Sequence, residues 1–283
     1  MLLDGPAQSD RRLALRSLLL AAHPGPAFGV AVMVWVLCLA VGLDAPTTAL
    51  VVASVLTGQL SIGWSNDLLD LARDRRTGRT DKPLATGDLS PDLVRTACRI
   101  ALYATLVSSL LLGWLPGGAQ LLSVAAGWAY NLRLKATVWS WLPYAVAFGA
   151  LDTVPSLALP EVDVADLDVA WWLPVVGALL GVGAHLVNVL PDLDDDAATG
   201  IAGLPHRLAA RFGVRFVAGL AVALFVLATG LLVAALPWGP VVAVAMVVVA
   251  GLAVVALVGS GRRPFQAAMA IALVDVALLA VAL

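Results

Sequence analysis

Long apolar runs alternate with short polar breaks along the whole chain, at a spacing that suits membrane crossings. A helical crossing takes about 20 apolar residues. Nine runs meet or approach that length: about 27–44, 47–65, 92–114, 119–132, 138–158, 169–190, 214–236, 239–259 and 264–283. They do not alternate apolar with polar positions, which excludes a β-barrel and predicts an all-α bundle of nine transmembrane helices. The breaks carry turn residues, at Gly42-Leu43-Asp44-Ala45-Pro46, Pro116-Gly117-Gly118, Pro237-Trp238-Gly239-Pro240 and Arg262-Arg263-Pro264. Long polar loops are expected over about 67–91 and from the sixth span to about 212. Before the first span, Leu13, Leu15, Leu18 and Leu19 face one way and Arg11, Arg12 and Arg16 another. That is the pattern of an amphipathic helix lying along the membrane interface. Residues 1–283 read as a single transmembrane domain, with 1–26 as its cytoplasmic N-terminal segment.

Composition agrees with this pattern, and charge gives it a direction. The chain is 61% hydrophobic and 13% charged, with a mean hydropathy of +0.94. A soluble globular protein is not built this way. With the N-terminus inside, all 17 lysines and arginines fall on inner segments or adjoining helix ends. The outer 161–168 stretch holds Glu161, Asp163, Asp166 and Asp168 and no base. The positive-inside rule therefore puts the N-terminus in the cytoplasm, and an odd span count puts the C-terminus outside. The polar stretch and His23-Pro24-Gly25-Pro26 after the first arginines, without a small-residue cleavage site, argue against a signal peptide. Cys38 and Cys98 lie in or beside spans and read as packing residues. The net charge of −2 says little about partners, and nothing in the chain points to nucleic acid.

Against this apolar background one polar stretch stands out, Asn66-Asp67-Leu68-Leu69-Asp70-Leu71-Ala72-Arg73-Asp74. Asn66, Asp67, Asp70 and Asp74 are spaced by three or four residues, so they share one helix face at the cytoplasmic end of the second span. Like charges so placed repel, and a divalent cation among the oxygens would relieve that. Hard oxygen ligands with room for water and phosphate suit Mg²⁺. The arrangement recurs after the sixth span. Asn188, Asp192 and Asp196 repeat the spacing of Asn66, Asp70 and Asp74, Thr199-Gly200 repeats Thr77-Gly78, and Pro205 repeats Pro83, all at an offset of 122 residues. Six identities in register indicate an internal duplication, a parallel repeat of four spans with one span added. In the second copy Asp195 lies one turn from Asp192 and is a further candidate ligand, whereas Asp194 points elsewhere.

Phosphate recognition needs bases as well as metal. Lys82 and Lys135 are the only lysines, against fifteen arginines, and both fall in loops near the motifs. Arg79 lies in the same loop as Lys82. Tyr130 precedes Lys135 at a helix end, as a pocket residue or an interfacial anchor. Trp64 and Trp128 sit one turn inside the cytoplasmic ends, where an aromatic face can stabilise an allylic cation, although packing is the simpler role. His23 and His206 are weak signals. His185 is either a packed polar residue or a pocket wall. Asp152 and Asp275 fall within or at the ends of spans, where a carboxylate calls for a functional hypothesis.

Taken together, Asn66-Asp67-x2-Asp70-x3-Asp74, Asp192-x3-Asp196, Asp81-Lys82-Pro83-Leu84, Tyr130…Lys135 and nine helices make the chain resemble the UbiA superfamily of intramembrane prenyltransferases, over essentially its whole length. The resemblance implies a helical bundle around a lipid-facing cavity, where Mg²⁺ held by the two motifs binds an isoprenyl diphosphate. Asp67, Asp70, Asp74, Asp192 and Asp196 would then bind metal and carry catalysis, with Asn66 and Asn188 assisting. Lys82 and Lys135 would pair with the diphosphate, and Tyr130 would lie nearby. It implies a multi-pass protein of the cell membrane whose site opens to the cytoplasm. Where many relatives carry an Arg-Pro pair this chain has His23-Pro24, which counts against hydroxybenzoate as acceptor. Some relatives cyclise the prenyl diphosphate without an acceptor, so a terpene cyclase is the alternative. A transporter fits less well, because both motifs lie at one face and few polar residues could line a path across the bilayer.

Overall fold

A computed structural model describes residues 6–160, 171–193, 196, 200–259 and 263–283, with the side chains of 6–12, 192 and 265 left undescribed. The described residues form twelve α-helices and no strand. In order these are α1 (Pro6–Ala21), α2 (Pro24–Ala40), α3 (Ala45–Arg76), α4 (Pro83–Thr86), α5 (Pro91–Leu111) and α6 (Trp114–Leu132). They continue as α7 (Leu142–Leu157), α8 (Trp172–Val189), α9 (Leu204–Phe212), α10 (Val214–Ala235), α11 (Pro240–Val258) and α12 (Arg263–Ala282). Helices α3, α5, α8, α10 and α11 are each long and apolar enough to cross a membrane, and α1 and α2 together make a sixth candidate bent by 70°. At 16 residues α7 is only about 24 Å long, shorter than the ~30 Å hydrocarbon core.

Helix α3 positions the acidic motif. Asp44 caps its start, accepting hydrogen bonds from the Thr47 N–H and hydroxyl at 2.8 and 3.1 Å. It then runs for 32 residues, about 48 Å, so its last turns extend past any ~30 Å core. The polar loop expected from residue 67 is therefore helical as far as Arg76. Leu68, Leu69, Leu71 and Ala72 favour helix, and Arg73, Arg75 and Arg76 suit the negative end of its dipole. Gly78, at φ 66°, turns the chain away.

Two other boundaries differ from the sequence reading. The turn before α6 falls at Gly113 (φ 99°), one residue ahead of the helix start, and not at Pro116-Gly117-Gly118. Pro116 sits in the first helical turn, where its missing N–H is not needed. Gly117 is there for contact, since a Cβ on it would stand 2.0 Å from the Ser109 carbonyl oxygen. Gly117→Ala should pry α6 from α5 at a cost of about 1–3 kcal/mol, read as a lower Tm in detergent. The fifth span begins at Leu142 rather than 138, and the loop after the second motif contains α9.

The core has three parts. The largest is centred on Phe225 and joins α8, α10, α11 and α12. A second, around Trp64, joins α1, α3, α4 and α5, and a third joins α2, α3 and α7. Helix α8 meets α7 through bare backbone: a Cβ on Gly177 would lie 2.7 Å from the Phe148 carbonyl oxygen, and one on Gly181 would lie 2.5 Å from that of Tyr144. Small residues four apart allow such close approach in membrane bundles. The outer surface is apolar, with Ile100, Leu110, Leu111, Val247 and Val258 exposed.

Candidate functional site

The three carboxylates at the end of α3 are buried, at 2% exposure for Asp67, 6% for Asp70 and 3% for Asp74. Their repulsion is offset by cations brought from distant segments. The loop after α3 doubles back, so that Lys82, at the start of α4, places its Nζ 3.0 Å from Asp67 Oδ1 and 2.9 Å from Asp74 Oδ2. Lys135, in the 3-10 turn after α6, contacts Asp70 Oδ1. Arg73 reaches Asp70 Oδ2 at 2.7 Å and Asp74 Oδ1 at 3.6 Å. Burial alone would lower the Lys82 ammonium, but the facing Asp67 and Asp74 carboxylates hold it above the usual lysine value.

His23 joins this cluster, its Nε2 3.0 Å from Asp67 Oδ1. It stands at the α1–α2 bend with φ 53°, the one non-glycine residue at positive φ among those described. Two contacts fix the bend. Trp64 Nε1 donates to the Leu18 carbonyl at 2.9 Å. Gly63 lets the Ala22 carbonyl oxygen approach to where its own Cβ would be 2.2 Å away. His23 is a weak signal in the sequence because its role depends on this distant contact.

Below the carboxylates lies a cavity of about 320 Å³ between α2, α3, α6, α7 and α8. Asn66, Tyr130 and Asn188 line it, as does His23. Asn66 Nδ2 donates to Asn131 Oδ1 at 3.2 Å, while Asn131 Nδ2 donates to the Ile62 carbonyl and Ser65 Oγ, both at 2.8 Å. Asn131 was not singled out from sequence, although its place next to Tyr130 was a usable signal.

The aromatic faces on the cavity are Tyr130, Tyr144 and Phe148. Tyr130 meets Tyr144 edge-on at 5.2 Å, and Tyr144 stacks on Phe148 at 6.4 Å. Trp64 and Trp128 do not line the cavity; Trp64 packs in the α1–α3 core, and Trp128 Nε1 donates to Ser61 Oγ at 3.2 Å. Packing is their role here. His185 is 1% exposed and stands behind the wall, stacked on Tyr144 at 4.6 Å. Its Nε2 lies 3.0 Å from Ser140 Oγ, which also accepts the Leu204 N–H at 2.9 Å.

The second motif is described in part. Asp196 Oδ2 lies 3.1 Å from His206 Nε2. Asp192 closes the 3-10 turn Leu190–Asp192, but its side chain is outside the description, as is all of Asp195. Among the described residues no three acidic, histidine or cysteine side chains converge on one point; Asp67 and Asp74 are two helical turns apart. What the first motif offers is a row of hard carboxylate oxygens, the donor type that Mg²⁺ prefers. Arg79 forks onto Asp81 at 2.8 and 2.7 Å, and this holds the Asp81 carboxyl down at about 2. Asp152 and Asp275 lie elsewhere. Asp152 packs against Gly177, and Asp275 Oδ1 accepts the Thr229 hydroxyl at 2.6 Å between α10 and α12.

Similar architectures occur among solved structures. A UbiA homologue from Archaeoglobus fulgidus bound to GPP and Mg²⁺ superposes with a TM-score of 0.64 at 16% identity, covering 94% of this chain and 100% of that one. A UbiA homologue from Aeropyrum pernix K1 gives 0.66 at 17% identity, over 94% and 97%. A structure concerned with digeranylgeranylglyceryl phosphate synthase in membranes gives 0.64 at 17% identity, over 95% and 97%. At these identities the likeness establishes the fold alone. No curated protein matches the sequence significantly. From the start of α2 into α12, over residues 27–277, the sequence fits the model of the UbiA prenyltransferase family, and the chain belongs to that family.

Proposed function

We propose that this protein is a Mg²⁺-dependent membrane enzyme that transfers an isoprenyl group from a prenyl diphosphate to a small acceptor. The observation that carries this reading is the row of buried Asp67, Asp70 and Asp74, faced by Lys82 and Lys135 above a cavity with aromatic walls. The Archaeoglobus fulgidus homologue bound to GPP and Mg²⁺ supports it.

In this reading Asp67, Asp70 and Asp74, with Asp192, Asp195 and Asp196, hold the metal, which when bound neutralises charge on the leaving diphosphate. Lys82 and Lys135 pair with phosphate oxygens, and Asn66 and Asn188 orient the group from the cavity side. The C1–O bond breaks with its electron pair leaving on the diphosphate. The faces of Tyr130, Tyr144 and Phe148 stabilise the allylic cation and keep water from it. The acceptor then bonds to C1, and the proton it loses leaves with the diphosphate. Removing one ammonium should weaken substrate binding and transition-state stabilisation together. Lys82→Met is expected to lower kcat/KM for the prenyl diphosphate by roughly 10–100-fold, measured by product formation at saturating Mg²⁺.

The nine-span topology, with one domain over 1–283, the N-terminus and site on the cytoplasmic side of the cell membrane and a parallel repeat, belongs to the same proposal. The helix order supports the repeat, since α2, α3, α5 and α6 are followed at similar spacing by α7, α8, α10 and α11. So does the chain reversal after each motif. Gly78 and Gly200 are both left-handed, and the Arg79 N–H bonds the Asp74 carbonyl at 3.1 Å as the Ile201 N–H bonds that of Asp196 at 3.0 Å. Purified protein incubated with Mg²⁺ and farnesyl or geranylgeranyl diphosphate tests the reaction by mass spectrometry of extracts. Turnover only with an added acceptor supports transfer. A cyclic hydrocarbon formed without acceptor would make it a cyclase.

A further inference from the structure

The cavity extends below Asn66 to a polar floor that an isoprenoid tail would leave unpaired. Gln59 precedes Asn66 by seven residues on α3, about 10 Å along the axis, and both line the cavity. Ser123 lines it from α6 and is only 2% exposed. Neither the Gln59 amide nor the Ser123 hydroxyl hydrogen-bonds another described residue. One turn from Ser123, Gln120 Nε2 donates to the Ser54 carbonyl at 3.2 Å, and its buried Oε1 has no partner. A buried polar group left unpaired costs about 1–3 kcal/mol. Gln120 does not line the cavity, but the half-buried Gln59 amide and the Ser123 hydroxyl do, and a ligand oxygen can pair with both.

The charges near the cavity limit what that ligand is. Among its described lining residues there is no lysine or arginine. The nearby cations, Lys82, Lys135 and Arg73, lie on the motif carboxylates, and His23 lies on Asp67. At the Gln59 and Ser123 end of the cavity an acceptor carboxylate would meet no described lysine or arginine. A neutral hydroxyl or carbonyl oxygen meets amide and hydroxyl groups that can both donate and accept.

We infer that the acceptor is an uncharged molecule of about one ring, whose hydroxyl or carbonyl oxygen is bound by Gln59 and Ser123 at the cavity floor. This rests on the prenyl-transfer reading for the word acceptor, but the subsite itself does not.

The test pairs hydroquinone with 4-hydroxybenzoate, two rings of one size that differ by a carboxylate, using the full chain with Mg²⁺ and a prenyl diphosphate. Hydroquinone is expected to be prenylated with a kcat/KM at least ~10-fold higher. Gln59→Leu and Ser123→Ala should each raise the KM for hydroquinone about 5–10-fold and leave the KM for the prenyl diphosphate unchanged. Preference for the carboxylated ring, or an unchanged hydroquinone KM in both variants, overturns the proposal. A terpene alcohol made without acceptor also overturns it, since the floor would then hold water. Thermal unfolding with each ring alone separates the two claims. If no diphosphate is consumed, yet hydroquinone raises the Tm of the wild type and not of Gln59→Leu, transfer fails and the subsite stands. No Tm response to hydroquinone, together with no turnover, sinks both.

Discussion

Asp70→Ala is expected to lower prenyl-diphosphate turnover by at least ~10³-fold, and Asp192→Ala to do the same. Asp70 is the middle carboxylate of its motif and the one that Lys135 and Arg73 both reach. Asp192 has the same place in the second acidic motif, 122 residues further on. If Mg²⁺ ions sit between the two motifs, each aspartate holds a share of the charge that lets the diphosphate leave. Loss of either cannot be made good by the other. The alanine variant also takes the carboxylate from Lys135 and leaves Arg73 only its 3.6 Å contact with Asp74, and breaking a buried ion pair can cost about 3–5 kcal/mol. Asp70→Asn separates these effects, because it keeps the shape and a carbonyl acceptor while removing the charge. The asparagine variant should keep a near-wild-type Tm in detergent and still fail to turn over, even at high Mg²⁺. Mass spectrometry of extracted products decides the matter. If Asp70→Asn and Asp192→Ala both leave turnover intact, the acidic motifs are not the reacting centre.

Asp70 and its neighbours could be read from the chain because a helix turns spacing into geometry. Residues three and four apart share a face whatever surrounds them, and an acidic face at the end of an apolar run has few explanations. Lys82 and Lys135 were legible for a different reason, as the only two lysines in an arginine-rich chain. The residues that escaped notice depend on tertiary contacts. Gln59 and Ser123 are single polar residues in apolar helices, and nothing local separates a packed amide from one that lines a cavity. Tyr144 and Phe148 reach the cavity wall because Gly177 and Gly181 let α8 lie against α7. The start of α6 was misplaced because Pro-Gly-Gly looks like a turn, whereas Pro116 fits a first helical turn and Gly117 serves the contact with α5. Helix α3 continues past the loop start expected at residue 67 because polarity marks where lipid ends and not where a helix ends.

The two motifs are tied by a contact between loops, and Gly203→Ala should break it. Gly203 has φ −66° and ψ 178°, a conformation open to alanine, so the effect of the added methyl is steric and not backbone strain. The new Cβ would lie 2.7 Å from the Lys135 carbonyl oxygen and 2.9 Å from Ser140 Oγ. Both are fixed, one in a 3-10 turn and the other in a fully buried side chain. The segment after the second motif must therefore lift, and the bond from the Leu204 N–H to Ser140 Oγ, now 2.9 Å, is lost. Ser140 also holds His185, and His185 supports Tyr144, so the shift reaches the cavity wall. Lys135 begins the same segment and touches Asp70, so the first motif is disturbed as well. Misplacing the groups that hold a diphosphate by about 1 Å can cost 10²-fold in rate. Gly203→Ala should lose about that much kcat/KM and need more Mg²⁺ for half-maximal rate. Ser140→Ala removes the hydroxyl without adding bulk, and its loss should be roughly tenfold or less. Mg²⁺ titrations of both variants, with Tm measured in parallel, check the order. A Gly203→Ala protein with wild-type rate and Mg²⁺ dependence would mean that the loops can part without disturbing the reacting centre.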